Sequence, residues 1–390
     1  MAELLFLAHR VPYPPDRGDK IRSFHILKHL AERQTLHLAA FADDEADVAH
    51  AEALRPLVGG LHVERRTVGR GRAMAAALLK RGAASVTAFH SRGMRYFIER
   101  ILAERPIDRL YVFSGQMAQY APGDRPFVMD FADMDSEKFA AYANAARGPM
   151  RWVWRREARR LFAAEREAAR RAAVSLFVSD AEAALFRQRT GLSEARVQTL
   201  ENGIDLEHYR PQPWSGEPLV VFTGQMDYPP NIEAVSGFAR HAWPRVRAAA
   251  PEARFAIVGR RPDPAVAAWH GRDGIEVTGE VADVQPWLAR AAVVVAPLRI
   301  ARGVQNKVLE AMATARAVVA SPQAFEGIAA EPGRELIVAR GWAEEAEAVA
   351  ALLADPARAA AIGAAARARI EARYGWDARL APLDAMMAHI

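Results

Sequence analysis

Two α/β domains, each built on a doubly wound parallel sheet, are what this sequence predicts, and three observations carry the prediction. The chain has 390 residues, 51% of them hydrophobic, enough for two domains of roughly 150 to 200 residues with large cores. Through the first half, short apolar runs alternate with stretches of helical spacing, the pattern of a parallel sheet with helical crossovers. After a proline-rich stretch at 211–218 the same alternation starts over.

Taken in order, residues 3–8 are an apolar run and 9–19 a proline-stiffened loop. From 20 to 33, Ile21, Phe24, Leu27 and Leu30 keep helical spacing. Gly18 is the glycine of that loop; alone it does not make a dinucleotide fingerprint, and it reads either as a turn residue or as a place where backbone approaches a ligand. Further strands are predicted at 35–41, 61–68, 110–113, 127–131 and 174–178. Asp130, Asp133 and Asp135 cluster at the carboxyl end of strand 127–131, the end of a parallel sheet where ligands gather. Asp135 or Ser136 could equally cap the following helix.

Residues 150–173 are strongly helical, with Trp154, Ala158, Leu161, Phe162, Ala169 and Ala172 on one stripe. Between 151 and 172 there are eight arginines against three glutamates. Such a basic helix bearing Trp152 and Trp154 could lie on anionic lipid, or could pack its stripe inward and solvate its arginines. Asn202-Gly203-Ile204-Asp205 then marks a tight turn and the prolines a linker. The domains are therefore set at 1–201 and 202–374, with 375–390 as a last helix.

In the second half, 219–222 is a strand, and the loop 223–231 carries Gly224, where backbone can approach a ligand. Arg260 and Arg261 follow the strand 256–259. Strands 293–296 and 317–320 come next, with Glu326 after the latter, and 342–374 reads as one Ala-rich helical region that ends at Tyr374-Gly375-Trp376.

The stretch 297–313 concentrates the chemistry. It leaves a fully buried strand and enters a helix with the apolar stripe Val304, Val308, Ala311, Met312 and Ala315. Gly303 falls where the helix should begin. The amides of Gly303 and Val304 would then point outward with the positive end of the helix dipole, an opening suited to phosphate. Arg299, Arg302 and Lys307 crowd that entrance, where like charges repel unless an anion binds between them. Glu310 is placed to accept two hydroxyls of a ribose. A plain i, i+3 salt bridge between Lys307 and Glu310 is the competing reading.

These residues resemble the donor motif of GT-B glycosyltransferases of family four. In that family two glutamates flank seven residues; Glu310 matches the second and Arg302 stands at the first. The wording around Gly303-Val-Gln-Asn-Lys307 is similar to the sugar transferases associated with the exosortase (PEP-CTERM) exopolysaccharide system. The resemblance implies the GT-B fold, two facing Rossmann-like domains with an interdomain cleft, the last helix crossing back to the first domain. It implies a retaining, metal-independent hexosyltransferase that uses a nucleotide diphosphate sugar as donor substrate, with no cofactor and no metal site. Gly18 would approach the donor phosphate across the cleft. Gly224, Arg260, Arg299, Gly303, Val304 and Lys307 would surround the diphosphate, Val281 would meet the base by its main chain, Glu310 the ribose, and Glu326 the sugar. Lys307, Glu310 and Arg302 would carry catalysis, and Asp130 or Asp133, with Asp133 preferred, would position an acceptor hydroxyl on a glycan or lipid-linked acceptor.

Zero cysteines exclude disulfides and thiolate metal sites. No apolar run reaches the roughly 18 residues that span a bilayer, and the apolar start ends at His9-Arg10, unlike a signal peptide. The expected place is the cytoplasm, peripheral at the inner membrane face. A net charge of +5 favours an anionic partner. Two rivals remain: a sugar-nucleotide epimerase on the same fold, which would need acid and base groups in the cleft, and a basic nucleic-acid-binding protein, which would need interleaved aromatic and basic residues on an exposed face. The shortage of histidine near the donor motif and of such interleaving outside 150–172 weighs against both, so no nucleic-acid partner is expected.

Overall fold

The computed structural model describes residues 3–15, 17–66, 82–301 and 304–390. The chain divides into two compact units, Met1–Asn202 with Arg379–Ile390, and Gly203–Ala378. The first carries seven strands: β1 (Glu3–Ala8), β2 (Thr35–Ala42), β3 (Gly60–Arg65), β4 (Ile107–Phe113), β5 (Phe127–Ala132), β6 (Val174–Phe177) and β7 (Val197–Thr199). They lie in the order β3-β2-β1-β4-β5-β6-β7, every pairing parallel. The second carries β8 (Leu219–Thr223), β9 (Arg254–Val258), β10 (Ile275–Gly279), β11 (Val293–Ala296), β12 (Ala317–Ala320) and β13 (Ile337–Val338). Their order is β10-β9-β8-β11-β12-β13, again all parallel. Both are Rossmann-like sheets, and in each the strand order reverses once, between β1 and β4 and between β8 and β11. Ligands of such sheets bind outside the strand carboxyl ends at that reversal.

The apolar runs form strands because helices cover both faces of a parallel sheet, so every position can be buried. All of β1 is buried, and Val293–Ala296 and Ala317–Ala320 likewise. Fully burying one Val, Leu or Phe side chain contributes roughly 1.5 to 3 kcal/mol, and each unit has its own core of such residues. Helices are stopped and started by local chemistry: Ser91, Ser179 and Asp44 accept from the amides of Met94, Glu182 and Asp47.

Local boundaries differ from expectation in two places; residues 67 and 68, placed in a strand by their sequence, lie outside the described residues. The region 342–374 is two helices, Gly341–Ala354 and Pro356–Arg373, bent by 106°. Asp355-Pro356 makes the break, since proline cannot continue a helix from within and Asp355 Oδ1 accepts from the amide of Arg358 at 2.9 Å. The donor-motif helix runs Asn306–Ala313 with Gln305 at its cap, so Val304 precedes it rather than opening it.

Candidate active site

In the second unit the loop after β8 and the helix Asn306–Ala313 meet at Lys307. Its Nζ donates to Asn231 Oδ1 at 2.6 Å and sits 4.4 Å from the centre of the Phe222 ring. Asn231 in turn donates from Nδ2 to the Gln225 carbonyl at 2.9 Å, which pins the loop. A Cβ at Gly224 would lie 2.8 Å from Asn231 Nδ2 and 3.1 Å from Lys307 Nζ, so the missing side chain keeps the backbone against the ammonium. The next loop is laced to this one. Gly224 N donates to the Val258 carbonyl and Met226 N to the Arg260 carbonyl, both at 3.0 Å, and a Cβ at Gly259 would fall 1.6 Å from the Gly224 oxygen.

Burial pushes the Lys307 ammonium down to about 8, against the attraction of Glu310. A half-buried, desolvated cation without an anionic contact is a costly arrangement. Lys307 and Glu310 form no ion pair among the described residues; each is held by another group. Glu310 is hydrogen bonded to the Tyr209 hydroxyl, and burial raises its carboxyl above the usual range although Tyr209, Lys307 and His208 oppose that. The same burial, together with Glu310, raises the Tyr209 phenol. The simple i, i+3 salt bridge is therefore not what this helix makes.

Of the residues singled out by sequence, Gly224, Arg260, Lys307 and Glu310 are brought together with Asn231 and Tyr209. Arg260 is exposed and reaches Gln225 Oε1 at 3.4 Å. Val281 follows β10, half-buried against the core, and exposed Glu326 follows the short helix Pro322–Phe325 beyond β12. Arg302 and Gly303 lie outside the described residues. Arg299 departs from expectation: its guanidinium donates to both oxygens of Glu345 at 2.8 and 2.9 Å and stacks 3.6 Å above the Trp342 ring. Burial raises Glu345 to about 7 in spite of that pair. Arg299 is thus committed to a buried carboxylate on the helix Gly341–Ala354 instead of to an incoming phosphate.

The first unit has a cavity of about 350 Å³ past the carboxyl ends of β1, β4 and β5, lined among others by His9, Asp19, Phe113, Ser114, Ala132 and Asp133. Ser114 and Ala132 hold φ of 77° and 60°, left-handed values that are uncommon for residues with a side chain and that cluster at functional sites. Asp133 is half-exposed, 3.7 Å from Lys138 Nζ. Asp130 corrects its expectation: it is 0% exposed and bound by Arg22, by the Tyr111 hydroxyl at 2.6 Å and by the Ala132 amide, so it has no reach toward an acceptor. His9, which sequence reasoning passed over, lines the cavity, stacks on Phe113 and pairs through Nε2 with Asp19 at 3.3 Å. Burial works against the charge of Asp19, but His9 and Arg10 hold its carboxyl well below the usual range. Gly18 opens the helix Gly18–Ala31 in this unit, with open space where a Cβ would be.

Two parallel-sheet units of this kind, the second with a half-buried lysine and glutamate on the helix after β11, define the GT-B fold. Residues 217–355 match the family model described as Glycosyl transferases group 1, so the second unit carries that domain and the protein is a glycosyltransferase. Solved structures agree on the fold over the full chain. Sucrose-phosphate synthase (tll1590) from Thermosynechococcus elongatus is similar at TM-score 0.62 and 17% identity, covering 100% of this chain and 99% of that one. Anabaena Alr3699/HepE in complex with UDP is similar at 0.62 and 14%, covering 100% of both. WaaG, a glycosyltransferase involved in lipopolysaccharide biosynthesis, is similar at 0.58 and 16%, covering 98% of both. No curated protein matches the chain.

Proposed function

We propose that the protein moves a sugar from a nucleotide diphosphate sugar to a glycan or lipid-linked acceptor, in exopolysaccharide or cell-surface glycan assembly. The observation that carries the reading is Lys307: a half-buried, desolvated ammonium beside a glycine backbone, one helical turn from a half-buried carboxylate held by a phenol. A diphosphate placed against Gly224 and Lys307 supplies the missing anion, and the charge that grows on it as the glycosidic bond breaks meets a preorganised cation. Glu310 accepts ribose hydroxyls, with Tyr209 holding the carboxylate in place. Alr3699/HepE, solved with UDP and with UDP-glucose, supports a nucleotide-sugar donor. Transfer proceeds with retention, the donor phosphate taking the acceptor proton on the same face, with no metal and no further cofactor. The cavity with Asp133 and His9 holds the acceptor. Cytoplasmic placement at the inner membrane face fits a chain without cysteine.

A panel of UDP, GDP, ADP and dTDP tests the donor, since a ligand specific for the native state raises the melting temperature by mass action. One nucleotide should stand out; a flat response across the panel would sink the reading. Glu310→Ala should weaken that nucleotide by about 1.5 to 3 kcal/mol, the scale of hydrogen bonds to a charged group, and calorimetric titration reads this directly. An unchanged affinity would remove Glu310 from the ribose.

Binding should also be coupled to protons. In the free protein Lys307 titrates near pH 8, and a diphosphate favours its charged form, so the pKa rises on binding. The affinity due to Lys307 is then fully present below pH 8 and falls as pH rises past it, with proton uptake on binding just above that value. Calorimetry in two buffers of different ionisation enthalpy checks the uptake. Identical apparent enthalpies in both buffers, just above pH 8, would show that Lys307 does not meet the anion.

A further inference from the structure

The helix Pro149–Arg171 divides its charges between two sides. Of its three glutamates, Glu157 is buried and accepts from the Ala84 and Ser85 amides at 2.9 and 2.8 Å. Glu165 is buried as well and accepts from the Ser136 amide at 3.0 Å, and burial pushes it up to about 7. Together with Leu161 and Ala168 they form the inward stripe. Arg151, Arg155, Arg159, Arg166 and Arg170 are all exposed, and at 3.6 residues per turn they fall within about 100° of one another, spread over roughly 28 Å of helix. None of the five makes an ion pair with a carboxylate among the described residues. The packed stripe foreseen from sequence and the solvated basic face therefore coexist on one helix, and only Glu167 remains outside to offset the arginines.

Exposed apolar side chains flank the amino-terminal end of that arc. Trp152 shares the arginine arc and is 59% exposed, Met150 is 46% exposed, and Tyr142 on the adjoining helix Asp135–Ala145 is 50% exposed. Trp154, by contrast, is packed against Phe139 and Tyr142. A row of guanidinium groups that make no ion pair among the described residues, ending in an exposed tryptophan, matches a bilayer surface. Arginines meet anionic headgroups, and the indole takes the boundary between headgroup and acyl chain.

We propose that this helix docks the protein on anionic phospholipid bilayers through Arg151, Arg155, Arg159, Arg166 and Arg170, with Trp152 entering the interface. The inference deepens the lipid-linked acceptor of the proposed function, on which its purpose rests, because a docked enzyme meets such an acceptor in two dimensions. Charge complementarity favours lipid over nucleic acid here, since the aromatic groups sit at one end of the arc and are not interleaved along it as stacking platforms for successive bases would be.

The test is co-sedimentation of the full chain with phosphatidylglycerol-rich and pure phosphatidylcholine vesicles. Pelleting should occur with the anionic vesicles, fall on adding salt, and weaken roughly a hundredfold when Arg151, Arg155 and Arg159 are all changed to glutamine, at the usual worth of a basic residue near such a surface. Trp152→Ala should weaken it further at high salt. The triple variant should keep the wild-type melting temperature and turnover with a water-soluble acceptor. Equal pelleting on both vesicle types, or unchanged pelleting of the triple variant, overturns the proposal. Tight binding of a single-stranded oligonucleotide without vesicle pelleting also overturns it and assigns the face to nucleic acid. These failures leave the nucleotide titrations untouched, so the docking and the transferase readings fail separately.

Discussion

Replacing Lys307 with alanine should lower the turnover number by about 100-fold or more while reducing nucleotide affinity less, because its charge contact strengthens as the diphosphate departs. Steady-state kinetics beside direct nucleotide titration separates the two quantities. Stability supplies the control. Burial holds the folded pKa of Lys307 below its unfolded value, so the charged form is disfavoured in the folded protein. Below pH 8 the lysine opposes folding, and the opposition is relieved as pH rises from its folded toward its unfolded pKa. Lys307→Ala should then melt no lower than the wild type at neutral pH. If Lys307→Ala and Glu310→Ala instead lower the melting temperature and leave binding and transfer intact, the two residues are structural and the site lies elsewhere.

Asp130→Ala should be the most destabilising of the changes considered, by about 3 to 5 kcal/mol, the cost of leaving one partner of a buried ion pair uncompensated. Arg22 is 1% exposed and gives its guanidinium to Asp130, to the Leu200 carbonyl at 2.7 Å and to Asn202 Oδ1 at 2.9 Å. Without the carboxylate its charge and the Tyr111 hydroxyl would be stranded beneath the first sheet. A loss of that size is a large part of the 5 to 15 kcal/mol that holds a typical domain, roughly speaking. Hydrogen exchange resolved by segment is the proper measurement, since a chain of two units need not unfold in one step. The loss should appear in the first unit and spare the second. Asp133→Ala, three residues on and half-exposed, should change stability by about 0.5 kcal/mol or less while raising the KM for acceptor. Equal stability losses at 130 and 133 would contradict the burial described for Asp130.

Local signals were readable where one segment answers to one constraint. Runs such as 293–296 and 317–320 had to be strands because only a sheet covered on both faces buries every residue of so short an apolar stretch. Short edge pieces were not readable: β7 and β13 have three and two residues, too few for any period to show. The helix start was misplaced for a similar reason. An apolar residue at 304 continues the stripe whether or not the backbone is helical there, and the cap at Gln305 carries no side-chain signal.

Partners distant in the chain were a different matter. Arg299 looks like one of three cations awaiting an anion until the fold brings Glu345 beside it, 46 residues on. Asp130 and Asp133 look equivalent until Arg22, 108 residues away, claims the first. Asn231 closes a loop and Tyr209 opens a linker by sequence, and only packing sets one on Lys307 and the other on Glu310. By itself the sequence determined the strand and helix alternation, hence the doubly wound parallel sheets, because periodicity and apolar runs are local consequences of burial; the GT-B class came from the resemblance carried by the 297–313 motif. The tertiary structure alone decided which charges are buried, which are already paired and which remain open to a ligand. Those outcomes depend on desolvation and on through-space neighbours that no spacing along the chain records.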